Sequence, residues 1–202
     1  MFLQILSLPV AGHWEFSHQL ADTVSQWRQR HGHTVLRIHH SGVIDKPWHL
    51  QDARNDEAGD GVSGEWLSQM LNLPIHLRSD IVLTASGRCQ LVAGLLPDHT
   101  VIALAQPDVE PHQWLHIASL IRHLRLRDRC QPITVLIRGS QMQSEHGDTL
   151  QALERSLTIR LACLPDNATG QTETMAEQLC QHLYDNAAGD DLPPLTASEP
   201  AR

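Results

Sequence analysis

Apolar positions along the chain fall into short strand-like runs separated by stretches of helical period. Phe2 to Leu8 is a nearly unbroken apolar run, as expected of a strand covered on both faces. Phe16, Leu20, Val24 and Trp27 follow at spacings of four, four and three, which predicts a helix from about Trp14 to Arg30 with one buried stripe. Gly32 stops that helix, and Thr34-Val35-Leu36-Arg37-Ile38 resumes strand character with β-branched residues. The opening unit is therefore βαβ, which implies a parallel pair joined by a right-handed crossover.

The same alternation continues. A short helix carries Trp66, Leu67, Met70 and Leu71, and Asp80 to Thr84 reads as a buried strand. Ala85-Ser86-Gly87 then makes a small-residue turn into a helix near Arg88 to Leu95. Thr100 to Ala105 is a strand, and Pro111 stands where a first helical turn tolerates proline, opening a helix to Leu126 with Trp114, Ile117, Ile121 and Leu124 on one face. Strand 133–137, a helix around 149–156, strand 158–163 and a helix with Met175, Leu179 and Leu183 complete the series. Between Ser41 and Gly64, the polar stretch with Asp52, Asp56, Glu57 and Asp60 reads as an exposed loop.

Six strands alternating with six helices imply an α/β fold: a doubly wound, mostly parallel central sheet with helices on both faces, in three layers like a P-loop NTPase. Residues 1–185 form one domain on this reading, and the Pro-, Asp- and Ala-rich segment 186–202 is a disordered tail. Ligands of such sheets bind at the carboxyl ends of the strands, here Pro9 to His13, His39 to Gly42, Ala85 to Arg88 and Gln106 to Asp108. The first of these turns is where a phosphate loop would lie. It offers one glycine, Gly12, followed by His13 and Trp14, in place of clustered glycines, a lysine and a Ser/Thr hydroxyl.

Composition narrows the field. A chain of 202 residues that is 41% hydrophobic can bury a core as one domain. A net charge of −8 argues against a general nucleic-acid binder. Cys89, Cys130, Cys163 and Cys180 form no CxxC pair and read as buried thiols of a reducing compartment. No signal peptide and no run of about 20 apolar residues is present, so a soluble cytoplasmic protein is expected.

Three later segments carry a family resemblance. Asp98-His99-Thr100-Val101-Ile102-Ala103-Leu104-Ala105-Gln106-Pro107-Asp108, then Pro132 to Arg138, and the late Cys163-Leu164-Pro165-Asp166 resemble the corresponding strands of the MinD/ParA family of ATPases. The likeness is one of pattern over residues 2–185, and the chemical positions all depart. Aligned on Gly12, Leu8 stands at the family's signature lysine, Pro9 and Val10 at its glycines, His13 at its phosphate lysine and Trp14 at its Mg²⁺-binding threonine. His39 and His40 fall where the second strand should end in a catalytic Asp, and Thr84-Ala85-Ser86-Gly87 replaces the metal-binding turn. The resemblance thus implies a pseudo-ATPase with no catalytic residue, no metal and no cofactor, ATP and Mg²⁺ included, because phosphoryl transfer rests on those charges. It further implies a protein partner: an intact ATPase homologue, a second copy in a homodimer, or a component of a secretion, polysaccharide-export or motility machine. Membrane insertion is not expected, since the chain ends in Gly189-Asp190-Asp191-Leu192-Pro193-Pro194 and not in a basic amphipathic helix. An unrelated doubly wound fold is the alternative.

Other constellations compete. His13, His18, His39 and His40 could converge on a transition metal, while His31-Gly32-His33 suits a helix C-terminus. Ser86, before Gly87-Arg88, sits like an incomplete nucleophile elbow. The opening unit is also similar to the first unit of GT-B glycosyltransferases, which implies a nucleotide or nucleotide-sugar binder or transferase-like enzyme using His13, Ser86 and Arg88. Arg122, Arg125, Arg127 and Arg129, interleaved with leucines expected to pin the helix to the sheet, are the candidate partner-binding cluster. Trp14 is expected to fill the vacated phosphate position, and Trp27, Trp66 and Trp114 to lie in the core.

Overall fold

Eight strands share one sheet in the computed structural model, in the order β4-β3-β2-β5-β1-β6-β7-β8. The structure describes residues 1–8, 12–40, 48–51, 58–74, 77–86, 96–105, 110–138, 152, 154–164 and 180. The strands are β1 (Phe2–Ser7), β2 (Val35–His40), β3 (Trp48–Gln51), β4 (Ala58–Val62), β5 (Asp80–Ser86), β6 (His99–Leu104), β7 (Ile133–Arg138) and β8 (Arg160–Leu164). Among the described residues, the helices with given bounds are α1 (His13–Arg30), α2 (Gly64–Leu71) and α3 (Pro111–Arg127). Every pairing among β2, β5, β1, β6, β7 and β8 is parallel, so the fold is α/β with a mostly parallel sheet.

Strand alternation sorts the core into two layers. Phe2, Leu6, Ile81, Leu83, Ile102, Leu104, Ile133, Val135 and Ile137 face one side, where Leu67 of α2 and Ile117, Ile121 and Leu124 of α3 cover them. Leu3, Ile5, Val82, Val101, Ala103 and Leu136 face the other, under Phe16, Leu20, Ala21 and Val24 of α1. The chain leaves β1 toward β2 through α1 and leaves β6 toward β7 through α3, in opposite directions across the sheet. A single crossover hand then requires the two helices to lie on opposite faces, as they do. Three layers follow from that rule.

The helix signals act as expected. Ser63 caps α2 by accepting the Trp66 N–H at 3.1 Å. Pro111 opens α3, whose Gln113 Oε1 accepts the Glu110 N–H at 2.9 Å. His31 closes α1, its Nδ1 2.8 Å from the Trp27 carbonyl oxygen. The amino-terminal rim of the sheet is tied by acids: Asp98 accepts the Phe2 N–H at 2.7 Å, and Asp80 takes both the Met1 amine and Arg28.

Three expectations need correcting. The segment 41–64 contains the β3–β4 hairpin, which extends the sheet antiparallel beyond β2. Ala58-Gly59-Asp60-Gly61-Val62 has little intrinsic strand preference, so its ladder comes from main-chain pairing that side-chain pattern does not announce. Leu126 does not pin α3, being 85% exposed, because it falls opposite the Ile117–Ile121–Leu124 stripe. Cys130 is exposed, whereas Cys180 is buried on the α1 face. The expected helix 88–95, most of the helix carrying 175–183 and the tail lie outside the described residues, and 154–157 is a helical turn.

Candidate functional site

The sheet order reverses between β1 and β6, where the chain departs to opposite sides, and ligands of such sheets bind at the carboxyl ends beside a reversal of this kind. Gly12 stands there as the residue before α1, with φ of 84°, a left-handed turn that only glycine adopts without strain. Among the described residues, an added Cβ there would meet nothing nearer than Ala105 Cβ, at 4.0 Å. Because Gly12 has no side chain, the first N–H groups of α1 receive no side-chain cap.

His13 joins two elements at this point of the sheet. Its ring is 1% exposed, and Nδ1 accepts the N–H of Ala105, the residue just beyond β6, at 2.6 Å. Accepting at Nδ1 fixes the neutral tautomer with the proton on Nε2. That Nε2 is buried and has no hydrogen-bond partner among the described residues. Burial pushes the imidazole below its ordinary basicity, in keeping with a neutral acceptor. The first helical residue thus bonds the end of a neighbouring strand, and β1, α1 and β6 are locked together at the point where a ligand would enter.

Trp14, next in the chain, turns elsewhere. Half-buried, it meets His18 edge-on at 4.4 Å between ring centres, and His18 in turn meets His39 at 5.9 Å. These rings occupy the α1 face of β2, beside the Arg37–Asp22 ion pair. His18 is held below the usual imidazole range by burial, with Arg37 and His39 adding to the effect and Asp22 and Glu15 opposing it.

The expected convergence of His13, His18, His39 and His40 does not occur. His39 and His40 are consecutive in β2 and so project to opposite faces, a consequence of strand period two. Among the described residues no three His, Cys, Asp or Glu side chains gather as a metal site. Ser86 ends β5 in register with Ser7, which places its backbone at the strand-end rim. Pro9 and Arg88 lie outside the described residues.

The basic cluster divides. Arg125 is half-buried and donates to the backbone carbonyls of Arg129, Gln131 and Thr158, stitching the end of α3 to the turns before β7 and β8. Arg122, Arg127 and Arg129 are exposed. What the residue pattern hid was the His13–Ala105 bond and the Asp80 cluster; the latter had one signal, an acid opening an otherwise apolar strand. No helix among the described residues is long and apolar enough to cross a membrane. Neither a family model nor a curated protein matches the chain.

Proposed function

We propose that this protein is a non-catalytic pseudo-ATPase of MinD/ParA type, a cytoplasmic regulatory or scaffolding module that works by binding another protein. The observation that carries the reading is the seat of His13. At the switch point of the sheet, where a triphosphate-binding relative needs open backbone and an ammonium, a buried neutral imidazole spans from α1 to the Ala105 N–H. An imidazole in that seat supplies neither the clustered backbone N–H groups nor the fixed positive charge of a phosphate loop. The single lysine of the chain, Lys46, comes after β2, so the turn that follows β1 carries no phosphate-loop lysine of its own. Without such a cation, transfer of a phosphoryl group loses its main electrostatic support.

The partner belongs, on this reading, to a secretion, polysaccharide-export or motility machine, or is an intact ATPase homologue or a second copy. Arg122, Arg127 and Arg129 supply an exposed basic surface on a chain of net charge −8, which suits an acidic protein better than nucleic acid. A competing reading, a nucleotide or nucleotide-sugar binder, draws on one feature: the His13 Nε2–H is a buried donor with no acceptor among the described residues.

Calorimetric titration with ATP, ADP and a nucleotide sugar, with and without Mg²⁺, separates the two. The pseudo-ATPase reading expects no saturable heat and no phosphate release. Mg²⁺-dependent ATP binding with turnover overturns it, and saturable nucleotide-sugar binding lost in His13→Ala establishes the competitor.

A further inference from the structure

The outward side of α3 carries a charge pattern unlike the rest of the chain. The full sequence holds 23 Asp and Glu against 15 Lys and Arg, yet α3 has no acid at all and carries three arginines and three histidines. A helix that only faces water ordinarily mixes acids with bases at spacings of three and four, because such pairs support it. Arginines near the last turn also suit the helix dipole, but that leaves the absence of acids from the earlier turns unexplained. The electrostatic complement of this face is left to come from outside the helix.

The same face holds apolar anchors. Leu115 is 74% and Leu126 85% exposed, while Ile117, Ile121 and Leu124 of the opposite stripe are buried. About three turns of helix separate Leu115 from Leu126, so the two lie nearly on one line, roughly 16 Å apart. His116, Arg122 and His123 stand exposed between them.

We propose that this face of α3 docks an acidic helix of a protein partner, whose carboxylates accept hydrogen bonds from Arg122, His116 and His123 and whose apolar side chains cover Leu115 and Leu126. The inference rests on the reading that the protein works by binding another protein, and it adds the surface and the partner's chemistry.

Charge and shape single out that occupant. A guanidinium takes a carboxylate through two parallel N–H bonds, and the exposed leucines give an apolar partner something to bury, as a phosphate backbone does not. An anionic membrane fits less well, because Ser119 and Arg122 interrupt the apolar line and leave no continuous stripe to immerse. A second copy packing the same helix across a two-fold axis sets arginines against arginines with no acid between them. One helix face about 25 Å long falls short of the roughly 800 Å² per partner of a stable complex, so the contact is of the transient kind.

The test is fluorescence anisotropy of a labelled synthetic helical peptide of about 20 residues, with two leucines about three turns apart and glutamates flanking them, titrated with the full chain. Saturable binding that weakens with added salt is expected. Leu126→Ala, Arg122→Glu and a peptide with glutamine in place of glutamate should each weaken it by about tenfold. Both substituted positions are exposed, so these variants keep the fold, and Gln69→Ala on the exposed side of α2 should bind as the unaltered chain does. Absence of saturable binding, equal binding of the two peptides, or unaltered affinity in Leu126→Ala and Arg122→Glu would overturn the proposal. Binding to phosphatidylglycerol vesicles or duplex DNA, or self-association, that these two variants abolish would also overturn it, by giving the face a different occupant. Nucleotide turnover would sink the pseudo-ATPase reading without moving this assay, because α1 and its His13 lie on the opposite face of the sheet from α3.

Discussion

Arg28 and Asp80 join the end of α1 to the start of β5 at 2.6 Å, and the same carboxylate holds the Met1 amine at 2.7 Å. Asp80 is 7% exposed, so its charge depends on these two cations for the solvation that water would otherwise supply. Asp80→Asn should destabilise the fold by about 3 kcal/mol, read from the urea midpoint at neutral pH. Burial by itself would raise the carboxyl, but the amine and Arg28 outweigh it and hold it below the ordinary 3.8. The unfolded carboxyl therefore takes its proton first. The stabilisation is complete above that value and disappears as pH falls through it toward the lower native one, a loss Asp80→Asn should not show.

His13→Ala removes a buried ring and strands the Ala105 N–H. Truncation and the orphaned donor together should lower stability by about 2–3 kcal/mol, measured by chemical denaturation. A ring that made no contribution here would leave the midpoint in place.

The buried histidines should make the protein weaken in mild acid. His13 and His18 are both held below 6.5, so between that value and their native ones the unfolded chain binds more protons. Stability is complete above about pH 6.5, declines as pH drops through it, and levels off once the native rings are charged. His18→Gln should flatten part of this slope in thermal melts. An unchanged slope would assign the acid response to other groups.

Two leucines two residues apart in α3 should behave oppositely. Leu124 is 1% exposed and Leu126 is 85% exposed. Leu124→Ala should destabilise by about 2–5 kcal/mol and Leu126→Ala by no more than about 0.5 kcal/mol. Equal losses would mean that something covers Leu126 in solution.

The sheet was legible because its strands are buried on both faces: Phe2 to Leu8, Asp80 to Thr84, Thr100 to Ala105 and Ile133 to Ile137 all read as apolar runs and all pair. The α1 and α3 stripes were legible for the same reason, apolar residues returning every three or four positions. The hairpin was not, because Gly59, Asp60 and Gly61 carry no burial signal. At the candidate site, the turn into α1 through Gly12, His13 and Trp14 could be read from the sequence. Where His13 would bond could not, since Ala105 is distant in sequence and contributes only its backbone. The scattering of the histidines was readable in part: His39 and His40 had to diverge by strand alternation alone.

The β3–β4 hairpin also decides how this molecule meets others of its kind. A parallel sheet that stopped at β2 would leave the outward-facing N–H and C=O groups of every second residue of that six-residue strand unsatisfied, an invitation to polymerise. The hairpin replaces that margin with five residues, centred on Asp60 between two glycines. A carboxylate and two poor strand formers make that border a bad template for an incoming chain. Colloidal tolerance on that flank is thus written into the segment with the least regular-looking sequence.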